Sequence, residues 1–165
     1  MSYTNSNPNV TELNIGAILG EGNGRFVNIS VTNTNVVVVN NQAAEVNIGG
    51  IVGDLEDYLV INNSVLSVNL TLNGKTQANA GGIVGTAIHD LTELLIFNCK
   101  VYVNITSEQV VFFGGVTSFM QYGWVEQVTL DFDLDLLAAN NIVGGFVVDE
   151  PMNLTIRNCQ NSISK

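Results

Sequence analysis

Gly81-Gly82-Ile83-Val84-Gly85 is the stretch that decides the fold, because it returns. The same five residues stand at Gly49-Gly50-Ile51-Val52-Gly53. Looser copies occupy Gly16-Ala17-Ile18-Leu19-Gly20, Gly114-Gly115-Val116-Thr117-Ser118 and Gly144-Gly145-Phe146-Val147-Val148. Successive steps, from 16 to 49, 81, 114 and 144, are 33, 32, 33 and 30 residues. A near-constant step of this length marks a repeat architecture, in which each repeat is one structural unit stacked on its neighbours.

A second register follows each glycine motif. Ile61, Ile96, Val125 and Ile156 align, and Val31 fits the first repeat; two residues further on stand Asn63, Asn98, Gln127, Asn158 and Asn33. Apolar residues then recur at every second position: Leu66, Val68 and Leu70; Val101, Val103 and Ile105; Leu130, Phe132 and Leu134. Polar or exposed types separate them, which is the period of two of a half-buried strand. No segment holds a helical period beyond one turn over 87–95.

These patterns predict an all-β protein, a β-solenoid (parallel β-helix) of about five coils of 30–33 residues. Equivalent residues would stack about 4.7–4.9 Å apart along its axis. The glycines Gly49, Gly50, Gly53, Gly81, Gly82, Gly85, Gly114, Gly115, Gly144 and Gly145 would let the backbone turn tightly and approach a neighbouring coil. Asn33, Asn63, Asn98, Gln127 and Asn158 would form an amide ladder, as stacked cross-β amides do. An antiparallel sandwich also shows short alternating strands, but it does not require the same positions to recur every 32 or so residues. Residues 1–12 read as a polar arm or cap, and 13–165 as a single repeat domain. Gly20 to Gly24 and the acidic Asp54 to Asp57 read as turns or loops, and Asn73-Gly74 as a turn dipeptide.

The composition narrows the partners. The chain has 165 residues, 46% hydrophobic and only 12% charged, about half the usual charged share. Fifteen acids face five bases, Arg25, Lys75, Lys100, Arg157 and Lys165, for a formal charge of −10. Nucleic acid and anionic membranes both need a basic footprint that this chain lacks. No apolar run approaches the 18 or so residues of a membrane span. Met1 to Asn9 is polar and uncharged, unlike a signal peptide. The chain is then either intracellular or part of a longer secreted protein, and the absence of an evident C-terminal cap points to the second, a surface or secreted protein longer than this chain.

Gly-Gly-Ile-Val-Gly, then a loop, then Asn98-Cys99-Lys100-Val101-Tyr102-Val103 resembles the GLUG repeat, and Asn158-Cys159 repeats the Asn-Cys pair. The resemblance covers nearly the whole chain in about five copies, the fourth departing most with Val128 in place of the Cys. It implies an accessory repeat segment of a large surface or secreted protein, such as some bacterial immunoglobulin A peptidases, and it carries no active site.

Candidates for chemistry are few. Cys99 and Cys159 share a repeat position two coils apart, about 9–10 Å in a solenoid, beyond disulfide reach; they read as core thiols. His89, the only histidine, stands beside Asp90 and near Glu93 without a nucleophile motif. Asp131, Asp133 and Asp135 would share one outward strand face, where weak calcium binding is conceivable, but neither the glycine nor the closing glutamate of a calcium loop follows. Trp124 and Tyr122 flank Gly123 as a small aromatic surface. Asn-x-Ser/Thr sequons occur at Asn9, Asn28, Asn62, Asn69, Asn104 and Asn153. The expected function is therefore non-enzymatic and without a cofactor: a spacer, adhesive surface or self-assembling scaffold that meets proteins or its own copies through its ends. The competing expectation is a carbohydrate-binding or polysaccharide-active β-helix that uses the acidic face and Trp124.

Overall fold

The computed structural model describes residues 1–42, 44–89, 92–149 and 153–164. Among them there are nineteen strands and no helix. A lead strand, β1 (Ser2–Asn5), precedes five coils. The first coil holds β2 (Glu12–Gly16), β3 (Leu19–Val27) and β4 (Ser30–Asn40); the second holds β5 (Glu45–Gly49), β6 (Val52–Asn62) and β7 (Val65–Gly74). The third has β8 (Ala78–Gly81), β9 (Val84–Ala87), β10 (Glu93–Phe97) and β11 (Lys100–Ser107). The fourth has β12 (Val111–Gly114), β13 (Thr117–Met120), β14 (Tyr122–Glu126) and β15 (Thr129–Leu136); the fifth has β16 (Ile142–Gly144), β17 (Val147–Asp149), β18 (Asn153–Arg157) and β19 (Gln160–Ser164).

Each strand pairs in parallel with its equivalent one coil away, so the chain is a β-solenoid and not a sandwich. Three sheets result. The first runs β2-β5-β8-β12-β16; the third runs β1-β4-β7-β11-β15-β19. The second contains β3 and β6, which are single long strands, and then the pairs β9/β10, β13/β14 and β17/β18, into which that side of the coil divides further along. Residues 1–12 include β1, which pairs with Val37–Asn40 and thereby covers part of the edge of β4.

Gly20 to Gly24 lies within β3, where the register slips between Gly22 and Gly24; Gly22 takes φ 136°, open only to glycine. Asp54 to Asp57 likewise lies inside β6, not in a loop. In both places acids and glycines mimic turn composition, while pairing to a neighbouring coil imposes the strand.

The core is a set of apolar columns. Leu66, Val101 and Leu130 form one, and Ile61, Ile96 and Val125 another, all at most 1% exposed. Columns compensate in volume: Ala80 is followed in register by Phe113, whose ring meets Phe132 edge-on at 5.2 Å.

Candidate functional site

The glycine corner is built from three glycines used in three directions. At Gly81 a Cβ would stand 1.8 Å from Val84 O, inside its own coil. At Gly82 it would meet Gly115 O of the following coil at 2.2 Å, and at Gly85 it would meet Gly53 O of the preceding coil at 2.4 Å. The corner is stitched by coil-to-coil bonds, with Gly82 N donating to Gly114 O and Ile83 N to Val116 O. In the fourth coil Ser118 stands where Gly85 does, and its Oγ donates to Gly85 O.

The second corner is fixed by backbone conformation. Asn28, Asn63, Asn98, Gln127 and Asn158 have φ of 56°, 50°, 53°, 54° and 50°, a left-handed region that asparagine tolerates better than most side chains. The following residue ties the corner down. Ser64 Oγ donates to Asn62 O at 2.9 Å, Cys99 Sγ to Phe97 O at 3.0 Å and Cys159 Sγ to Arg157 O at 3.0 Å. The Asn-Cys pair is thus a corner device: the amide residue supplies the turn, and the thiol or hydroxyl closes onto the carbonyl two residues back. Both cysteines are free thiols, and burial raises the pKa of Cys99.

The expected ladder needs two corrections. The first-coil member is Asn28, not Asn33, because Val27 pairs with Asn62. Asn33 instead occupies a bulge of β4, between Val31 and Thr34, with φ 52° of its own. A bulge and a corner ask for the same backbone conformation, so both select Asn. Nor are the corner amides a continuous ladder. Asn63 Nδ2 donates to Asn28 Oδ1 at 2.7 Å, but Asn98 Nδ2 donates to Asn62 Oδ1 at 3.2 Å, since the left-handed residues turn their side chains toward solvent.

The buried amide stack lies elsewhere, on the first sheet. Asn47 Nδ2 donates to Asn14 Oδ1 at 3.0 Å, and Asn79 Nδ2 to Asn47 Oδ1 at 2.9 Å. Glu12 and Glu45 brace the same amides at 3.2 and 3.0 Å, and Asn14 Nδ2 donates to Glu21 Oε2 at 3.0 Å. Asn47 is 1% exposed. Its signal was present as an Asn two residues before the corner glycine in Leu13-Asn14-Ile15-Gly16, Val46-Asn47-Ile48-Gly49 and Ala78-Asn79-Ala80-Gly81.

Next to this stripe lies a perturbed carboxyl. Asp54 is 4% exposed and meets His89 Nε2 at 2.8 Å through Oδ2. Burial pushes the Asp54 carboxyl up, the hydrogen bond and charge of His89 pull it down, and Glu12 and Glu21 push it up further. The hydrogen bond to Asp54 raises the His89 pKa against a smaller opposing effect of burial. Asp54 Oδ1 and Thr86 Oγ1, paired positions of β6 and β9, are buried without a hydrogen-bond partner. The pair ties two coils together, and among the described residues no nucleophile is hydrogen-bonded to His89. Asp90 lies outside the described residues.

Asp131, Asp133 and Asp135 stand exposed on the outer face of the third sheet. Around the first two is a shallow depression of about 200 Å³, lined by Ser67, Asn69, Tyr102, Asn104, Asp131 and Asp133. No group of three or more metal-ligating side chains comes together among the described residues. Trp124 is on β14, away from these acids, with its indole N–H on Glu126 Oε2 at 3.0 Å and the Arg157 guanidinium 5.7 Å from its ring centre.

The fold and corner chemistry define a class, a three-sided parallel β-solenoid with a glycine corner and a left-handed amide corner. No family model, no curated protein and no solved structure matches the chain.

Proposed function

We propose that this chain is a non-enzymatic structural and interaction module: a β-solenoid segment that serves as a spacer or scaffold in a cell-surface or secreted protein. One observation carries the reading. Polar side chains gathered along the coils are engaged in coil-to-coil bonds, Asn14 through Asn79 on the first sheet and Asp54 with His89 beside it. What remains outside is mostly uncharged or acidic, with Arg25, Lys75, Lys100 and Arg157 as exposed bases, and is spread along the sheets. The glycine corner and the Asn-Cys corner support assignment to the GLUG type of repeat, because both elements of that pattern form corners of the coil here. Proteins and further copies of this chain are the partners the reading implies.

A second reading rests on the depression around Tyr102 and Asp133, where a ring face, two amides and two carboxylates share an open sheet surface suited to a sugar. A glycan array with and without calcium, run beside a depolymerisation screen, separates the two. The scaffold reading expects neither binding nor turnover. Binding that is lost in Tyr102→Ala or Asp133→Ala overturns it in favour of the sugar reading.

A further inference from the structure

Along the glycine corner two columns of side chains face each other across the outside of the coil. On the first sheet the column runs Asn14, Asn47, Asn79 and Phe112. It alternates with core residues such as Val46 and Ile48 and so points away from the core. On the second sheet the column runs Glu21, Asp54, Thr86 and Phe119. Contacts at both ends show that the columns meet. Asn14 Nδ2 donates to Glu21 Oε2 at 3.0 Å, and the Phe112 and Phe119 rings stand 5.9 Å apart between centres. Between these ends the second and third coils set Asn47 and Asn79 opposite Asp54 and Thr86.

The hydrogen bonds of this groove do not close. Asn47 Nδ2 donates to Glu12 and Asn14, and Asn79 Nδ2 donates to Glu45 and Asn47. These two amides therefore spend their N–H groups on the first sheet and leave none for the second. Asp54 Oδ2 meets His89, but Asp54 Oδ1 and Thr86 Oγ1 have no hydrogen-bond partner. Asp54 is only 4% exposed and Thr86 only 2%. Buried oxygens of this kind are rare in folded proteins because each costs free energy. Two of them on adjacent coils call for one shared donor.

The surroundings set the charge of that donor. Glu12, Glu21 and Glu45 join Asp54 about the groove, and among the described residues only Asp54 of these four has an ion pair, with His89. Burial raises the Asp54 carboxyl, and the charges of Glu12 and Glu21 add to the rise. At the third and fourth coils the groove opens into a cavity of about 400 Å³. One wall is Glu45, Gln77 and Asn79; the other is Ile88, Phe119 and Gln121. Its members Asn79 and Phe119 are the column neighbours of Asn47 and Thr86. Ile88, 46% exposed, and Phe119 make the second wall largely apolar.

We propose that this groove binds a small primary alkylammonium compound. The ammonium head donates to Asp54 Oδ1 and Thr86 Oγ1, and the alkyl chain lies along Ile88 and Phe119 toward the mouth. An ammonium group carries several N–H donors and no acceptor, which suits a carboxylate and a hydroxyl oxygen that both lack a donor. A metal ion suits the site less, since no three metal-ligating side chains come together among the described residues. The inference goes beyond the scaffold reading and does not depend on it.

Isothermal titration calorimetry of the 165-residue chain with butylammonium chloride, against sodium chloride at equal ionic strength, tests the site. Saturable binding is expected. Butanol has the shape without the charge, and tetramethylammonium chloride has the charge without the N–H donors. Each is expected to bind about tenfold more weakly or not at all. Thr86→Val is the deciding variant, because it removes an unpartnered hydroxyl and keeps the side-chain shape. Its denaturation midpoint is expected at or above that of the parent chain, while its affinity for butylammonium falls about tenfold. Asp54→Asn is expected to lose the binding altogether; where it does not fold, Thr86→Val carries the test alone. Silence with butylammonium would leave the two oxygens to ordered water and overturn the proposal. Equal binding of tetramethylammonium, or unchanged affinity in Thr86→Val, would place the cation elsewhere and overturn it as well.

Discussion

Two of the three corners of each coil solve the same problem, turning a chain in a stack only about 4.8 Å deep per layer, by opposite means. The glycine corner is defined by space: Gly81, Gly82 and Gly85 each leave room for a carbonyl in a different coil. The amide corner is defined by conformation: Asn63, Asn98, Gln127 and Asn158 share a left-handed φ while their side chains face solvent. A corner made by space tolerates only a small side chain that its own neighbours can seat, such as Ala17 and Ser118 in the first and fourth coils. A corner made by conformation tolerates any residue that reaches the conformation, which is how Gln127 comes to stand among asparagines.

The largest expected effect breaks the first corner. In Gly82→Ala the new methyl meets Gly115 O at 2.2 Å and Val103 Cγ2 at 3.0 Å. Backbone on both sides is held by neighbouring coils, so relief requires two coils to part. A loss of about 3 kcal/mol or more is expected in chemical denaturation, in the range reached by overpacking combined with broken backbone bonds. Gly24→Ala is the matched control: its methyl meets only the Phe26 ring, at 3.5 Å, and the change is expected within about 0.5 kcal/mol. Equal losses at the two sites would mean that coil spacing adjusts freely and that the space argument is wrong.

The second corner gives the reverse preference. Asn98→Gly keeps the left-handed φ without a Cβ penalty and loses only the exposed bond to Asn62, so its cost is expected below about 1 kcal/mol. Asn98→Val forces a β-branched residue into that conformation and is expected to cost about 2 kcal/mol. Side by side, Gly→Ala at residue 82 and Asn→Gly at residue 98 should differ several-fold in how far they lower the denaturation midpoint. Similar midpoints would erase the distinction between the corners.

How much of this was legible follows the same division. The glycine corner and the strand alternation were visible because their requirement is a residue type at a fixed step, so position 81 repeats position 49 outright. The first-coil amide was misplaced because a requirement on φ leaves an ambiguous trace: Asn28 and Asn33 both satisfy it, one at a corner and one in a bulge. The Asp54–His89 pair was invisible because its partners are 35 residues apart and Asp54 sits in an acidic run that looks like loop. The buried stack of Asn14, Asn47 and Asn79 could have been found, as it keeps a constant place before the corner glycine, but the exposed corner amides drew the reading instead.

The cysteines sharpen the comparison at smaller cost. Cys99 and Cys159 make the same closing bond, yet Cys99 is buried with its pKa raised by burial, while Cys159 is only half-buried near the open end. Since thiolate and access control reactivity, an alkylating reagent should modify Cys159 first and reach Cys99 only on unfolding. Cys99→Ser reproduces the bond Ser64 already makes and is expected to cost about 1 kcal/mol or less. Early labelling of Cys99 would show that the amide corner opens readily in the native state.

The smallest effect is a pH dependence at the glycine corner. The His89 pKa is raised above its ordinary 6.5 by the hydrogen bond to Asp54, so the folded chain binds that proton more tightly than the unfolded chain. Its stabilising share is therefore fully present below pH 6.5 and disappears as pH rises through the higher folded value. The Asp54 carboxyl is raised above its ordinary 3.8 chiefly by burial, so its own share is fully present below pH 3.8 and is lost as pH rises through the higher folded value. Half of the His89 side chain is exposed, and solvent screens the pair, which keeps the effect small. The melting temperature should accordingly rise modestly as pH falls from about 8 toward 6, the range in which histidine titrates, and His89→Gln should flatten that rise while leaving the value at pH 8 nearly unchanged. A rise that persists in His89→Gln would place its origin in the general relief of the −10 charge and not in the pair. The two sources separate further with salt, because screening weakens the dispersed repulsion over about 10 Å at 0.1 M more than it weakens a contact of 2.8 Å to a buried carboxylate.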